Sequence, residues 1–595
     1  MLLHARLSIL DLSPAGNQPM TAGPEGPVIV FNGEIYNYRE LREELIKEGF
    51  SFTTHSDTEV VLAAYRRWGV ECVHRFNGMW AFAVWDTDRR QLFLSRDRLG
   101  VKPLFYTFNH HQGCFAFASE IKALLALPGI DPAPDLARCQ DYIIFDAEEN
   151  TDATFFRNIH RLPPAHNLVL DIADGTIEQD RMPRRYWDLL PFTGNAAPRA
   201  SEEKALTEEF YSLFFDAVKI RLQADVGVGT ALSGGLDSSS SVYVINQLLK
   251  QDLAPSIGER QCCFSSVFSK PGETWADESP YINLVTETLN VRSVKVTPTP
   301  ERLLRELESM VYHQDEPFGS TSIFAQWCVF SLPRQHNIIV TLDGQGADEQ
   351  TAGYFPYLGA YWSSLALHDP ILYREIWGAR RMNGAFHQAL LPFLTVKARS
   401  FLGRRFSTRV SRNLNARLLE AVFGARTKEI YGSYIERRPE GIALVGQHFN
   451  EKLAYDTKNR LPVLLRYADR NSMAFGVESR GPYLDYRLVE FVAGLPAGYK
   501  INGGWTKWIA RKAFEGKLPE AIVWRRDKMG FPTPERIWFA GELRPWAEGI
   551  LKNSSFIEQV GVRKNIAASY DALCRSNMLW KVLNLELWAR VFHVS

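Results

Sequence analysis

Several things are scarce or missing in this chain of 595 residues, and each closes off a class of protein. Cysteine is scarce: Cys72, Cys114, Cys139, Cys262, Cys263, Cys328 and Cys574 are odd in number, irregularly spaced and without a C-x-x-C pair. Neither a disulfide framework nor a cysteine zinc site is therefore expected. Net charge is missing, since Lys+Arg and Asp+Glu both total 68, so no global field draws the chain to nucleic acid or an anionic membrane. No apolar run approaches the roughly 18 residues of a membrane span. The N-terminus, MLLHARLSILDL, lacks the cationic head of a signal peptide. No internal repeat or long low-complexity segment is present. A Walker-type phosphate loop, G-x-x-x-x-G-K followed by Ser or Thr, is absent too. The expected protein is a cytoplasmic one working on small molecules, with no nucleic-acid or membrane partner.

What is present is 46% hydrophobic and 23% charged, an ordinary globular composition long enough for roughly two to four domains. Residues 1–190 read as β-rich. MWAFAVWDTDRRQLFLSRD (79–97) alternates as a hairpin, short strands follow near 102–107, 114–118 and 167–171, and TEVVLAAYRRWG (58–69) is helical. The composition shifts at a linker, 191–201, rich in Pro, Ala and Gly. From 202 a helix (202–222) leads into alternating strands (226–232, 261–268, 291–299, 337–342) and helices (241–249, 279–289), the order of a doubly wound parallel sheet. Beyond about 355 the pattern is mainly helical. Within it, 395–428 holds nine Lys or Arg against one acidic residue, read first as a solvated helical face and second as an anion- or partner-binding surface.

The most informative stretch is SGGLDSS (233–239), between a strand and a helix. Gly234 and Gly235 allow backbone conformations closed to other residues and a close approach to a ligand. Their amides and the helix N-terminus make an anion site, to which Ser233, Ser238 and Ser239 add hydroxyls. Asp237 would repel a bare phosphate, so its position makes sense if a divalent cation bridges the two. The alternative is a plain Gly/Ser-rich turn. LDGQGADE (342–349) follows the strand NIIVTL, which puts it at the carboxyl edge of the sheet, with Asp348 placed to share Mg²⁺ with Asp237. VESRGPYLD (477–485) gathers Glu478, Arg480 and Asp485, which alone would read as a structural salt-bridge network. GGWTKWIARKAF (503–514) supplies Lys507, alone a surface lysine, which could stabilise charge building on a phosphate.

SGGLDSS resembles the pyrophosphate loop of the adenylating ATP pyrophosphatases. Together with LDGQGADE, DEPFGSTSIFAQW (315–327), VESRGPYLD and Lys507, it resembles the synthetase domain of glutamine-hydrolysing asparagine synthetases. Upstream, ARLSILDLS (5–13), NGEIYN (32–37), SDTEV (56–60) and RDRLGVKPLFY (96–106) resemble the glutaminase half of class II amidotransferases. The resemblance spans nearly the whole chain. It implies an Ntn-type α/β/β/α amidotransferase sandwich, truncated at its N-terminus (1–190), and an ATP-pyrophosphatase α/β domain with a helical C-terminal part (202–595). ATP and Mg²⁺ are the implied cofactors, with aspartate and ammonia or glutamine as substrates and a homodimer as a family-level expectation. It also implies that Leu232, Ser233, Gly234, Gly235, Asp237, Ser238, Ser239, Ser266, Asp343 and Gly344 hold ATP and its phosphates. Asp237 and Asp348 would hold the metal, and Lys507 would face the transition state. Gln345, Glu478 and Arg480 would serve the acyl-transfer site, the last two by shaping the substrate pocket or the interdomain passage. Arg6 would hold the glutamine carboxylate, Glu34 and Asp57 its amine, and Asn32 with Gly33 the oxyanion hole.

Two departures from the family pattern set further expectations. The family begins with a cysteine whose thiolate attacks glutamine while its α-amine serves as base. Here Met1 precedes Leu2 and the chain starts at the RLSI segment. The glutaminase half is therefore expected to be dead, with unpaired apolar strand edges. A start codon assigned too late accounts for this better than a natural variant. Cys72 and Cys114 read as buried or edge-strand apolar residues. The second departure is Gln345, where the family tends to carry an acidic residue, and a neutral amide cannot serve as a base. The reading that follows is asparagine synthesis through β-aspartyl-AMP. Beside it stand the same chemistry on another acid (a sugar, peptide or β-lactam precursor) and a catalytically silent nucleotide-binding protein.

Overall fold

The structure is a computed structural model. It describes residues 1–23, 26–109, 114–149, 151–173, 176–177, 182–193, 199–270, 272–380, 385–402, 419–427, 448–527, 532–576 and 578–594. Half of the basic stretch 395–428 (403–418 and 428) lies outside the described residues, as does the middle of the linker. Of its described part, Lys397 donates to the carbonyls of Ser363 and Leu365, and Arg426 is exposed.

The N-terminal half is built on an antiparallel sheet whose main strands are Val28–Ile35, Gly78–Asp86, Gln91–Arg96 and His166–Ala173. Alternation along Gly78–Asp86 decides the layers. Trp80, Phe82 and Val84 pack with helices Tyr38–Lys47 and Asp57–Trp68, while Ala81 and Ala83 face a three-stranded sheet of Phe105–Asn109, Cys114–Ala118 and His160–Arg161. Helix Leu136–Phe145 closes the far side of that sheet. The order is helix, sheet, sheet, helix, as the resemblance implied. Cys72 is buried, with its thiol pushed up by desolvation, and Cys114 is exposed on an edge strand.

The second half carries a parallel five-stranded sheet. In chain order its strands are Gly227–Ala231, Cys262–Ser266, Arg292–Val296, Ile338–Leu342 and Glu478–Arg480; in space they run third, second, first, fourth, fifth. The first and fourth strands are neighbours, and the chain order reverses there. Their carboxyl ends open the crevice in which such sheets bind ligands. The C-terminal helix Met578–Val591 is buried nearly all round, with Trp580 and Trp588 at its centre.

Two details differ from the sequence expectation. The helix after the first parallel strand begins at Leu236, so Asp237, Ser238 and Ser239 sit in its first turn rather than in a loop. A serine run reads as loop because its hydroxyls compete for backbone groups. Here Ser240 and Ser241 donate to the carbonyls four residues earlier, which keeps a buried helix satisfied. The fifth strand, Glu478–Arg480, was not expected at all. Register with Val340–Leu342 makes it a strand, since three polar residues carry no pattern of their own.

Candidate active site

At the switch point the carboxyl ends of the first and fourth strands, the start of helix Leu236–Lys250 and the segment around Lys507 enclose a cavity of about 300 Å³. Gly234 sets the turn beside it. Its φ is +72°, and a Cβ there would fall 2.7 Å from the Cβ of Tyr281, so only glycine fits. Ser233 and Ser238 fix the turn: the Ser233 amide donates to the Ser238 hydroxyl (3.2 Å) and the Gly235 amide to the Ser233 hydroxyl (3.4 Å). The N-terminus of a helix of 15 residues then points its first amides at the cavity.

Three charged side chains meet above this loop. Lys507 is in the left-handed conformation (φ +56°) at the start of helix Trp508–Phe514. Its Nζ touches the carboxylates of both Asp237 and Asp348, the latter at 2.5 Å, and all three residues line the cavity. Gly344 lies close against Asp237, a Cβ there being 3.0 Å from the Asp237 Cβ. Asp343 accepts from the Ser479 hydroxyl and from the Gln345 amide (3.0 Å); burial raises its carboxyl above the usual range. Gln345 lines the cavity beside it.

Residues that no sequence pattern singled out complete the walls. Arg525 donates to the Gly234 carbonyl (3.4 Å), pairs with Glu278 (2.9 Å) and stacks on Tyr281, its guanidinium 3.8 Å from the ring centre. Burial lowers the Arg511 guanidinium to about 10, while its protons go to the carbonyls of Thr506, Val523 and Arg525. Both arginines come from one segment, 507–527, which was legible only through Lys507. Opposite them, Ser322, Ile323, Gln326, Val329, Phe330, Phe355, Leu464 and Tyr467 supply a wall without charge among the described residues.

Of the expected phosphate and nucleoside residues, Ser233, Gly235, Asp237, Ser238, Asp343 and Gly344 line the cavity. Leu232, Gly234, Ser239 and Ser266 do not. Leu232 is tied into the sheet through Phe264 and Ser265, Ser239 is fully buried, and Ser266 ends the second strand, half-buried. Glu478 and Arg480 lie elsewhere, on the seam between the two halves. Arg480 is fully buried, pairs with Glu478 (2.8 Å) and Glu34 (3.1 Å), and donates to the carbonyls of Arg221 and Gln223. Lys102 of the first half joins Glu478 and Asp469.

The expected glutamine residues lie along this seam. Asn32, Gly33 and Glu34 belong to strand Val28–Ile35, opposite Ala81, Trp80 and Met79. Gly33 has φ +151°, and a Cβ on it would collide with the Met79 carbonyl. The Asn32 amide donates to the Ser119 hydroxyl (3.3 Å). Asp57 accepts from the Ile35 amide (2.9 Å), and burial pushes its carboxyl up to about 6. Burial raises Glu34 further, against the pull of Arg480. Arg6 instead curls into its own loop, donating to the carbonyls of Leu10, Asp11 and Ser13.

Asp237 and Asp348 converge closely enough to share one cation. No group of three or more metal-ligating side chains occurs among the described residues. The two carboxylates are the hard oxygen donors that a Mg²⁺ would use.

Comparison with known proteins supplies an independent line. The asparagine synthase family pattern matches residues 209–590, and that of the glutamine amidotransferase domain matches 1–187. Glutamine-hydrolysing asparagine synthetase 1 of Bacillus subtilis (strain 168) is 31% identical over an alignment covering 98% of this chain and 88% of that protein. Asparagine synthetase 3 of the same organism is also 31% identical, over 92% of this chain and 82% of its own. A protein of Gibberella zeae named amidase chry2 is 29% identical, over 91% and 82%.

Proposed function

This chain belongs to the asparagine synthase family, a family of ATP-using ligases that form C–N bonds, and from that premise we propose that it makes asparagine from aspartate, ATP and ammonia. The aspartate side-chain carboxylate attacks the α-phosphate of ATP and pyrophosphate leaves. Ammonia then attacks the acyl carbon of β-aspartyl-AMP and AMP departs. The intermediate replaces a poor leaving group, oxide, by a good one.

The observation that carries this reading is Lys507 held between Asp237 and Asp348 over the Gly234 turn. The amides of Gly234, Gly235 and the helix start, with the hydroxyls of Ser233 and Ser238, receive the departing pyrophosphate. Lys507 counters the charge that builds between the α-phosphate and that leaving group, in a site where burial strengthens each interaction. Asp343 and Gly344 flank the nucleoside. Asp237 and Asp348 would hold Mg²⁺, whose charge would offset that of the phosphates. Asn32, Gly33, Glu34 and Asp57 are proposed as the amide-nitrogen site of the first half, and Arg480 ties that site to the sheet.

A second reading keeps the chemistry and changes the acid. It is favoured by Gln345, neutral at the reacting edge of a cavity that Arg526 and Asp527 also line. The similarity to a protein named as an amidase agrees with it. Pyrophosphate release with ATP, Mg²⁺ and aspartate, comparing ammonium with glutamine, tests both. Release with aspartate supports asparagine synthesis, and the donor comparison reports whether the first half delivers nitrogen. No release with aspartate, but release with another carboxylic acid, establishes the second reading. No release with any acid refutes both.

A further inference from the structure

Lys507 depends on a support that lies outside the cavity. It follows a tight turn, Asn502–Trp505, closed by reciprocal backbone bonds of 3.0 Å between Asn502 and Trp505. The two glycines at its tip both have left-handed backbones, Gly503 at φ +60° and Gly504 at φ +80°. Their adjacent amides donate to the two oxygens of one carboxylate, Gly503 to Glu375 Oε1 and Gly504 to Glu375 Oε2, each at 2.8 Å. Glu375 is fully buried, on helix Pro370–Ala379 of the helical region, and its one ion-pair partner among the described residues is the exposed Arg374 (3.1 Å).

The packing at this point leaves no slack. A Cβ on Gly378 would lie 2.0 Å from the Gly503 carbonyl oxygen, and one on Gly504 would lie 2.2 Å from the Ala379 nitrogen. A buried carboxylate held only by two amides and a surface arginine is costly to keep unless the geometry is used. Three residues beyond Gly504 the chain reaches Lys507. There its amide donates to the Thr351 carbonyl (3.1 Å) and its left-handed backbone turns Nζ onto Asp237 and Asp348.

We propose that Glu375 is the positioning residue for Lys507: its carboxylate grips the Gly503–Gly504 turn and so fixes where the lysine ammonium stands over the phosphate loop. Glu375 touches neither nucleotide nor acid and acts only through the turn. This rests on the proposed role of Lys507 in the reaction. The helix from which Glu375 points inward presents Tyr373 and Trp377 outward, 63% and 62% exposed. The opposite face of the helix is therefore open to solvent, while Leu372 and Ala379 pack in one cluster with Ile501.

The test compares four variants by pyrophosphate release, ATP binding and melting temperature. Glu375→Gln keeps size but turns one acceptor into a donor facing an amide. It is expected to lower kcat roughly 10–100-fold, the cost of a small misplacement of a catalytic group, with KM for ATP changed little. Glu375→Asp, which keeps two acceptors on a shorter arm, should recover part of the loss. Gly504→Ala, whose methyl meets the Ala379 nitrogen, should resemble Glu375→Gln. Gly503→Ala has nothing within 4 Å of its new methyl but, at φ +60°, strains the same left-handed turn, so it should lower kcat less than Gly504→Ala, which adds a clash to that strain. Variants that melt earlier yet keep wild-type kcat would show Glu375 to be merely structural and overturn the inference. If Glu375→Gln is insoluble, the Gly503 and Gly504 pair decides alone, equal kcat values counting against the proposal. A wild-type protein that binds ATP but releases no pyrophosphate with any acid would instead sink the functional reading on which this one rests.

Discussion

Replacing Lys507 by methionine probes the site most directly. Methionine preserves length and bulk and removes the charge, so Asp237 and Asp348 lose the ammonium they share. Since both carboxylates touch one nitrogen, their nearest oxygens stand no more than about 5 Å apart. At an effective dielectric constant of about 20, two unit charges at that distance repel by about 3 kcal/mol. In the resting protein the pair should therefore bind Mg²⁺ without nucleotide more tightly than wild type does, because the cation relieves the repulsion. For catalysis, loss of a preorganised cation beside the developing charge should lower kcat by about 10²–10³, or about 3–4 kcal/mol. Calorimetry of Mg²⁺ binding checks the first consequence, and pyrophosphate release under saturating ATP checks the second. Unchanged Mg²⁺ affinity together with less than about a tenfold fall in kcat would refute the geometry argued for this trio.

Gly234→Ala should strain the left-handed turn by about 1–2 kcal/mol before its methyl meets Tyr281. KM for ATP should rise while KM for the acid holds, whereas Gly235→Ala, facing only Ser233, should be near neutral in steady-state kinetics. Arg480→Met takes from Glu34 its ion-pair partner and leaves Glu478 only Lys102, and should destabilise by about 3–5 kcal/mol. Adding Glu34→Gln should recover part of that in denaturant titrations, so strictly additive effects would count against the pair. Burial lowers the Lys500 ammonium to about 7 from an unfolded value of 10.5. The unfolded chain then holds the extra proton between those values, so wild-type stability climbs as pH rises through this window. Lys500→Met should therefore be the more stable protein at pH 7 and below, by up to about 5 kcal/mol, with the gap in melting temperature closing toward pH 10; a constant gap would contradict the burial argument.

The parts legible in the sequence are those that short stretches determine. The hairpin Gly78–Arg96, the strand before Ser233 and the helix at Ala200–Arg221 follow from period and turn chemistry within a dozen residues. The turn at 233–239 was readable because its backbone demands glycine at 234 and its closure uses the Ser233 and Ser238 hydroxyls. Long-range register hid the rest. Glu478–Arg480 becomes a strand only beside Val340–Leu342, and that placement takes both charged residues to the seam between the halves rather than to the cavity. Arg511, Arg525 and Glu375 carry no motif. Their parts depend on a carbonyl, an aromatic ring and a glycine turn brought up from elsewhere. Arg6 resembles a ligand-binding arginine by pattern, yet its donors are taken by its own loop.

The buried ionic seam along the fifth strand bears on how such proteins can be recombined. Arg480 meets Glu34, Lys102 meets Glu478 and Asp469, and Asp485 takes Arg221 and the Asn77 amide, all with almost no solvent. These residues come from both halves, and none has a hydrated alternative once the halves are docked. A chimera that joined this synthetase half to a relative's first half would have to import Glu34, Asn77 and Lys102 as a set. Without Glu34 or Lys102 an opposite charge in the interior loses a partner, and without Asn77 the Asp485 carboxylate loses a hydrogen bond. The two halves are thus exchangeable only as matched pairs, and the seam residues rather than the linker mark where a working graft must be checked.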